Sequence, residues 1–229
     1  MSLSLIMTGL LYGVIALCII GSVYKIITYL KTPVLFHTPL MPTSPYLSHN
    51  IFRFICEIFF FRSVYNADKL LWFLSLCFHY SLLLLFIWHL RYLFTLPTNI
   101  ISFLDNTKLA SSFFLIGSSS ALLLRRCLQE RIRYISCPAD YLHLGLFLYS
   151  AGSGMIMMWY FPAINAEVLA AFSTATFFTV LPLPTQPLFL SHFFSALVLF
   201  ALFPFSKLFH AISQFFIPSR YQQDNQRAL

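Results

Sequence analysis

The chain has 229 residues, of which 59% are hydrophobic, 18% aromatic and only 9% charged. Soluble domains carry about 25% charged residues, so this shortfall, with a mean hydropathy of +0.79, excludes a water-soluble globular protein and predicts an integral membrane protein in contact with lipid. The formal net charge of +7 does not imply nucleic acid as a partner: the basic residues cluster at segment ends, as in membrane proteins that keep Lys and Arg on the cytoplasmic side.

A helix needs about 20 mostly apolar residues to cross a bilayer, where every backbone polar group must pair internally. The first qualifying segment covers about residues 3–30. It has no basic leading region and no small-residue cleavage site, so it reads as a retained helix rather than a signal peptide. Residues 32–61 contain Pro33, Pro39, Pro42 and Pro45, then the run IFRFICEIFFF. That pattern predicts a proline-rich turn and an amphipathic helix over about 50–61 lying in the cytoplasmic interface. The second span, about 67–94, carries His79 and His89. The third, about 109–124, starts just after Lys108, and the fourth, about 139–161, has Asp140, Tyr141 and His143 near its start. Residues 163–180 predict a short helix over the external face, followed by a PLPTQP linker. The fifth span, about 188–216, carries His192 and His210 with Pro204 between them, and a short polar tail follows.

The expected fold is therefore an all-α membrane protein, a five-transmembrane-helix bundle forming a single domain over residues 1–229. Lys and Arg in the short loops orient it. Lys31, Arg53, Arg62 and Lys69 lie between spans one and two; Arg125, Arg126, Arg131 and Arg133 lie between three and four; Lys207, Arg220 and Arg227 lie near the C-terminus. The opposite side has Arg91 and Lys108. This places the N-terminus outside and the C-terminus in the cytoplasm, across a bacterial or archaeal cytoplasmic membrane.

The five cysteines, Cys18, Cys56, Cys77, Cys127 and Cys137, form no CxxC, CxxCH or ferredoxin-like run. Neither covalent c-type haem nor an iron–sulfur cluster is expected in this chain; soluble redox chemistry would belong to partner subunits. The histidines are more informative. An imidazole inside a bilayer is costly and marks a functional site by default. By depth, His89 meets His192 towards the outside and His79 meets His210 towards the inside. Two such pairs suit the axial ligands of two haems b, a wiring for one-electron transfer. On continuous helices, the separation of 18 residues points His192 and His210 to one face, while the separation of 10 turns His79 and His89 about 80° apart. The axial rises also disagree, by about 12 Å. A kink at Pro204, helix crossing and haem tilt are candidates for absorbing the difference.

Other polar residues have weaker assignments. Arg91 suits a haem propionate, because guanidinium matches a carboxylate fork; snorkelling to the headgroups is the plainer alternative. Lys108 is a candidate donor to a quinone, against an ordinary interfacial lysine. His143 is a candidate for proton handling, a propionate contact or a second quinone pocket, against a hydrogen-bonded structural histidine. His37 and His49 receive no role.

Three pieces carry a family resemblance: FFFRSVYNADKLLWFLSLCFHYSLLLLFIWHLRYLF (59–94), PADYLHLGLFLYSAGSG (138–154) and LSHFFSALVLFALFPFSKLFHAISQFFIPSR (190–220). They resemble the DsrM-type cytochrome b subunits of the membrane complex associated with dissimilatory sulfite reductase, within the wider family of respiratory nitrate reductase gamma subunits. The ligand spacings of 10 and 18 match that wider pattern. The resemblance implies a five-helix dihaem cytochrome with His79, His89, His192 and His210 as iron ligands, exchanging electrons with menaquinone or ubiquinone. It implies a quinone site near Lys108. It also implies a cytoplasmic iron–sulfur partner similar to a heterodisulfide reductase subunit, within a multi-subunit redox complex of dissimilatory sulfur metabolism. Two competitors stay open: a nitrate reductase gamma subunit serving a molybdenum enzyme, and a haem-free anchor or proton-pathway subunit.

Overall fold

A computed structural model describes residues 3–32, 47–173, 179–213 and 215. The described residues form ten α-helices: α1 (Leu3–Lys31), α2 (Leu47–Phe60), α3 (Arg62–Ala67), α4 (Lys69–His89), α5 (Thr98–Leu128), α6 (Glu130–Ile135), α7 (Pro138–Tyr160), α8 (Ala163–Ser173), α9 (Pro187–Leu202) and α10 (His210–Ser213). Five stretches are long and apolar enough to cross a membrane: Leu3–Lys31, Lys69–Tyr92, Thr98–Leu128, Pro138–Tyr160 and Pro187–Phe205. This is the expected all-α architecture. The proline-rich stretch 33–46 and the polar tail lie outside the described residues.

The spans alternate in direction. One end of the bundle, here the basic end, gathers Asp68, Arg125, Arg126, Asp140 and Lys207; the far end gathers Arg91, Asp105 and Lys108. Neighbours in space follow an arc, α4 against α5, α5 against α7, α7 against α9, and α9 against α1. Ser112, Ser118 and Ser119 are fully or nearly fully buried on α5. Such small residues let transmembrane helices approach closely, and Ser112 and Ser118 turn their hydroxyls back onto the carbonyls of Lys108 and Phe114 at 2.9 and 2.6 Å. At the far end Met7 of α1, Met157 of α7, Ile164 and Val168 of α8 and Leu181 form one apolar cluster. It seals the segment after α8 onto the bundle, where the Leu181 N–H donates to Thr8 Oγ1 at 3.0 Å.

Two helices differ from the sequence expectation. The third span starts at Thr98, not near residue 109, so Lys108 stands inside α5 rather than at its start. Polar Asn99, Asp105, Asn106 and Thr107 hid this first part, which extends directly from Pro97. The fifth span is not one helix to residue 216. It ends at Leu202 and continues as a 3-10 turn over Phe203–Phe205, an extended Ser206 (φ −123, ψ 177) and a second 3-10 turn over Lys207–Phe209. Pro204 lacks the N–H that would continue the helix. The helix expected over residues 163–180 is described over Ala163–Ser173, and residues 174–178 lie outside the described residues.

Candidate functional site

The break after α9 settles the arithmetic of the histidines. Across an unbroken helix His192 and His210 would be about 27 Å apart along the axis; the turns at Pro204 and Ser206 replace that rod with a bent strap. Its two imidazoles now face two rings on α4. His79 and His210 have ring centres 6.0 Å apart with planes at 88°, towards the basic end. His89 and His192 have centres 6.2 Å apart with planes at 15°, towards the far end. These are the partners that depth alone suggested. Elsewhere α4 and α9 pack little against each other among the described residues.

Each ring is held by its Nδ1. His79 donates to the Ser75 carbonyl at 2.7 Å, His89 to Leu85 at 2.7 Å and His210 to Lys207 at 2.8 Å. A carbonyl only accepts, so these Nδ1 atoms carry the proton and the Nε2 atoms carry a lone pair. His192 Nδ1 lies 3.0 Å from Ser153 Oγ. That hydroxyl spends its proton on the Tyr149 carbonyl at 2.8 Å, which fixes the same tautomer for His192. The rings of His89 and His210 are exposed and those of His79 and His192 half-buried. Four tautomer-locked imidazoles, with Nε2 unpaired within the described residues, are a donor set without an acceptor among them.

The donor set fits haem better than a bare ion. Among the described residues no three His, Cys, Asp or Glu converge as a metal site, whereas a structural zinc takes four protein ligands. A porphyrin asks for only two axial donors. Imidazoles on opposite faces of one iron, each with a bond of about 2 Å and a ring centre roughly 1.1 Å further on, have centres about 6 Å apart. Both observed separations match.

Local structure supports each ring. Phe61 adopts a left-handed conformation (φ 47, ψ 48) at the junction of α2 and α3. That backbone costs a non-glycine residue about 1–2 kcal/mol, and it brings the Phe61 ring to 4.9 Å from His79. The junction is pinned to α4, where Trp72 Nε1 donates to the Phe60 carbonyl at 2.8 Å and the Tyr80 hydroxyl to the Phe59 carbonyl at 2.9 Å. Beside His192, a Cβ on Gly154 would sit 3.2 Å from Cε1 of the ring; glycine lets the imidazole lie against α7.

At the far end Asp105 organises the cations. Its Oδ1 accepts from Trp88 Nε1 at 2.9 Å, Arg91 at 3.1 Å and Lys108 at 2.9 Å. Both cations also stand over the Trp88 ring. Thus Arg91 has a carboxylate partner within the protein, and Asp105, which the sequence reading overlooked, joins the two assigned residues. The i,i+3 spacing of Asp105 and Lys108 would have been the signal, had the helix been extended to include it. Asp105→Ala is expected to cost about 1–2 kcal/mol, since the pairs are part-exposed, seen as a lower thermal midpoint of the purified chain.

At the basic end Arg125 pairs with Asp68 at 2.6 Å, and buried Asp140 receives Lys207 at 2.8 Å with Arg126 at 3.5 Å. The hydrogen bond to Asp140 holds the Lys207 ammonium above the ordinary lysine range. His143 is buried in the second turn of α7, and its Nε2 has no hydrogen-bond partner among the described residues. It does not join either histidine pair.

Two curated archaeal relatives carry the name "Hdr-like menaquinol oxidoreductase cytochrome b-like subunit". The one from Archaeoglobus fulgidus is 29% identical over 97% of this chain and 82% of its own length. The one from Archaeoglobus profundus is 26% identical over 94% of this chain and 78% of its own. The family model described as nitrate reductase gamma subunit matches residues 61–227, from the α2–α3 junction through both histidine-bearing spans. The chain belongs to the nitrate reductase gamma subunit family.

Proposed function

We propose that this chain is a dihaem b-type cytochrome subunit, passing electrons between the membrane quinone pool and an iron–sulfur partner. The carrying observation is the pair of opposed imidazole couples, 6.0 and 6.2 Å between ring centres, with every Nδ1 engaged. In this reading His79 and His210 hold one haem, and His89 and His192 hold the other. Two haems b, when bound, supply reversible one-electron transfer at two depths. The four Nδ1 bonds orient the ligands and raise their basicity. With both imidazoles of a pair holding one iron, no position would be left on it for oxygen or substrate.

The far end is the proposed quinone side. Lys108 and Arg91, arrayed on Asp105 near His89, offer donors to a quinone carbonyl or a propionate. The relatives' names favour menaquinol. The basic end, with its arginine-rich loop, is the proposed cytoplasmic face where an iron–sulfur subunit similar to a heterodisulfide reductase docks. His143 keeps a minor candidacy as a proton carrier on that side. The FPFSKLFHA and PSR pieces favour the sulfur-metabolic subtype over a gamma subunit serving a molybdenum enzyme, and the identity of the copurifying redox subunit separates the two.

The test is a pyridine haemochrome assay on the purified chain, with about two haems b per chain expected. A colourless protein overturns the reading and favours a haem-free anchor or proton subunit. The ring planes, at 88° and 15°, lead to a further expectation. Axial-ligand orientation sets the splitting of the iron orbitals, so two distinct low-spin ferric resonances should be found; a single signal of double intensity would count against these pairs.

A further inference from the structure

Of the four paired histidines, His210 has the least helix around it. It follows two 3-10 turns and an extended Ser206, and begins a helix of one turn. Its imidazole takes its direction from the Lys207 carbonyl, which accepts the Nδ1 proton at 2.8 Å. The setting of Lys207 therefore sets the ring.

Lys207 is in turn tied to another span. Its Nζ donates to Asp140 Oδ2 at 2.8 Å. Asp140 is buried, and the same oxygen accepts from the Cys137 N–H at 3.1 Å, closing the first turn of α7. Arg126, at the end of α5, stands 3.5 Å away. One carboxylate oxygen thus joins the end of α5, the start of α7 and the strap that carries His210. Capping alone does not require this charge, because a neutral glutamine at the same third helical position of a capping box accepts from the cap N–H as well. As glue, the pair is weak: the Lys207 side chain is mostly exposed, and exposed ion pairs add little stability. Its distinctive consequence is geometric.

We propose that Asp140 is a positioning residue for His210, acting through Lys207. The inference rests on the haem-ligand role proposed above for His210. Removing either partner frees the strap to turn and tilts the imidazole against His79, while His89 and His192 stay in place.

The experiment is a redox titration, with ferric resonance spectra, on the purified full-length chain with its haems. The component missing in His210→Ala identifies the inner centre. Asp140→Asn and Lys207→Gln are each expected to alter the ferric signal of that component in the same way. Each is also expected to change its oxidised-to-reduced ratio at fixed potential by on the order of tenfold, about 59 mV for one electron. The component missing in His192→Ala stays as in the wild type, the double variant goes no further than the larger single one, and Lys207→Arg restores the wild-type signal. Lys207→Gln, at an exposed side chain, keeps the test available should Asp140→Asn fail to fold. Three outcomes overturn the proposal: an unchanged inner signal; equal changes in both components; or opposite shifts of potential in the two variants with no change in the ferric signal, which is simple charge removal. If the wild-type chain holds no haem, the functional reading falls first and this inference with it. If it holds two and the variants behave as wild type, only this inference falls.

Discussion

His210→Ala is expected to lower the haem content from about two to about one per chain and to abolish quinol-driven electron delivery to the basic end. Loss of even an outer partner of a metal ligand costs about 10–100-fold in affinity or activity, so removal of a ligand itself should cost more than about 100-fold. His79→Ala should give the same residual spectrum, because the ring of His79 lies 6.0 Å from that of His210. His89→Ala and His192→Ala should leave the opposite spectrum, since those rings are 6.2 Å apart. The four variants therefore sort into two matched couples. Any other sorting, such as His79 behaving like His89, breaks the pairing drawn from the geometry. Haem quantification with reduced-minus-oxidised spectra reads all four.

The sequence made the spans and the histidines legible for a simple reason. Crossing lipid forces long apolar runs, and an imidazole inside such a run stands out. It was less informative wherever a polar stretch is helical or an apolar stretch is not. Residues 98–108 look like a loop by hydropathy, yet they are the first three turns of α5, held where Asp105 meets Trp88, Arg91 and Lys108. Residues 203–213 look like more helix, yet Pro204 and the extended Ser206 bend the chain. Pro204 marks the place for a kink, but a complete break followed by short turns on either side of Ser206 exceeds what a single proline implies. Partners fixed by tertiary structure were invisible for a different reason. Nothing local links Asp140 to Lys207, 67 positions away, or Ser153 to His192, 39 away. Glycines are similar: Gly154 reads as an ordinary small residue until His192 is seen against it.

Gly21→Ala is expected to act on the same strap from its other side. Gly21 lies on α1, and a Cβ built there would stand 2.8 Å from Pro204 Cγ, 3.0 Å from Pro204 Cβ and 3.1 Å from Phe205 Cζ. Real Cβ contacts do not come so close, and Pro204 is buried in a rigid ring with no rotamer to escape into. Either α1 or the Pro204 turn must move. Overpacking of this kind costs about 1–3 kcal/mol, against a helix-propensity gain of up to about 1 kcal/mol from alanine. With the full propensity gain the balance is a net loss of up to about 2 kcal/mol, which for a chain of this size lowers the thermal midpoint by up to roughly 4–8 °C. The position of the strain makes the result specific. The Pro204 turn leads directly to Lys207 and His210, so the haem proposed at His79 and His210 should be released at a lower temperature than the one proposed at His89 and His192. Gly9→Ala and Gly13→Ala on the same helix meet nothing within 4 Å and should be neutral or slightly stabilising. Thermal melts followed by haem absorbance on the three variants separate a steric effect at Pro204 from a general effect of alanine on α1. Equal behaviour of all three would show that α1 yields freely and that Gly21 contributes nothing to holding the bend that carries His210.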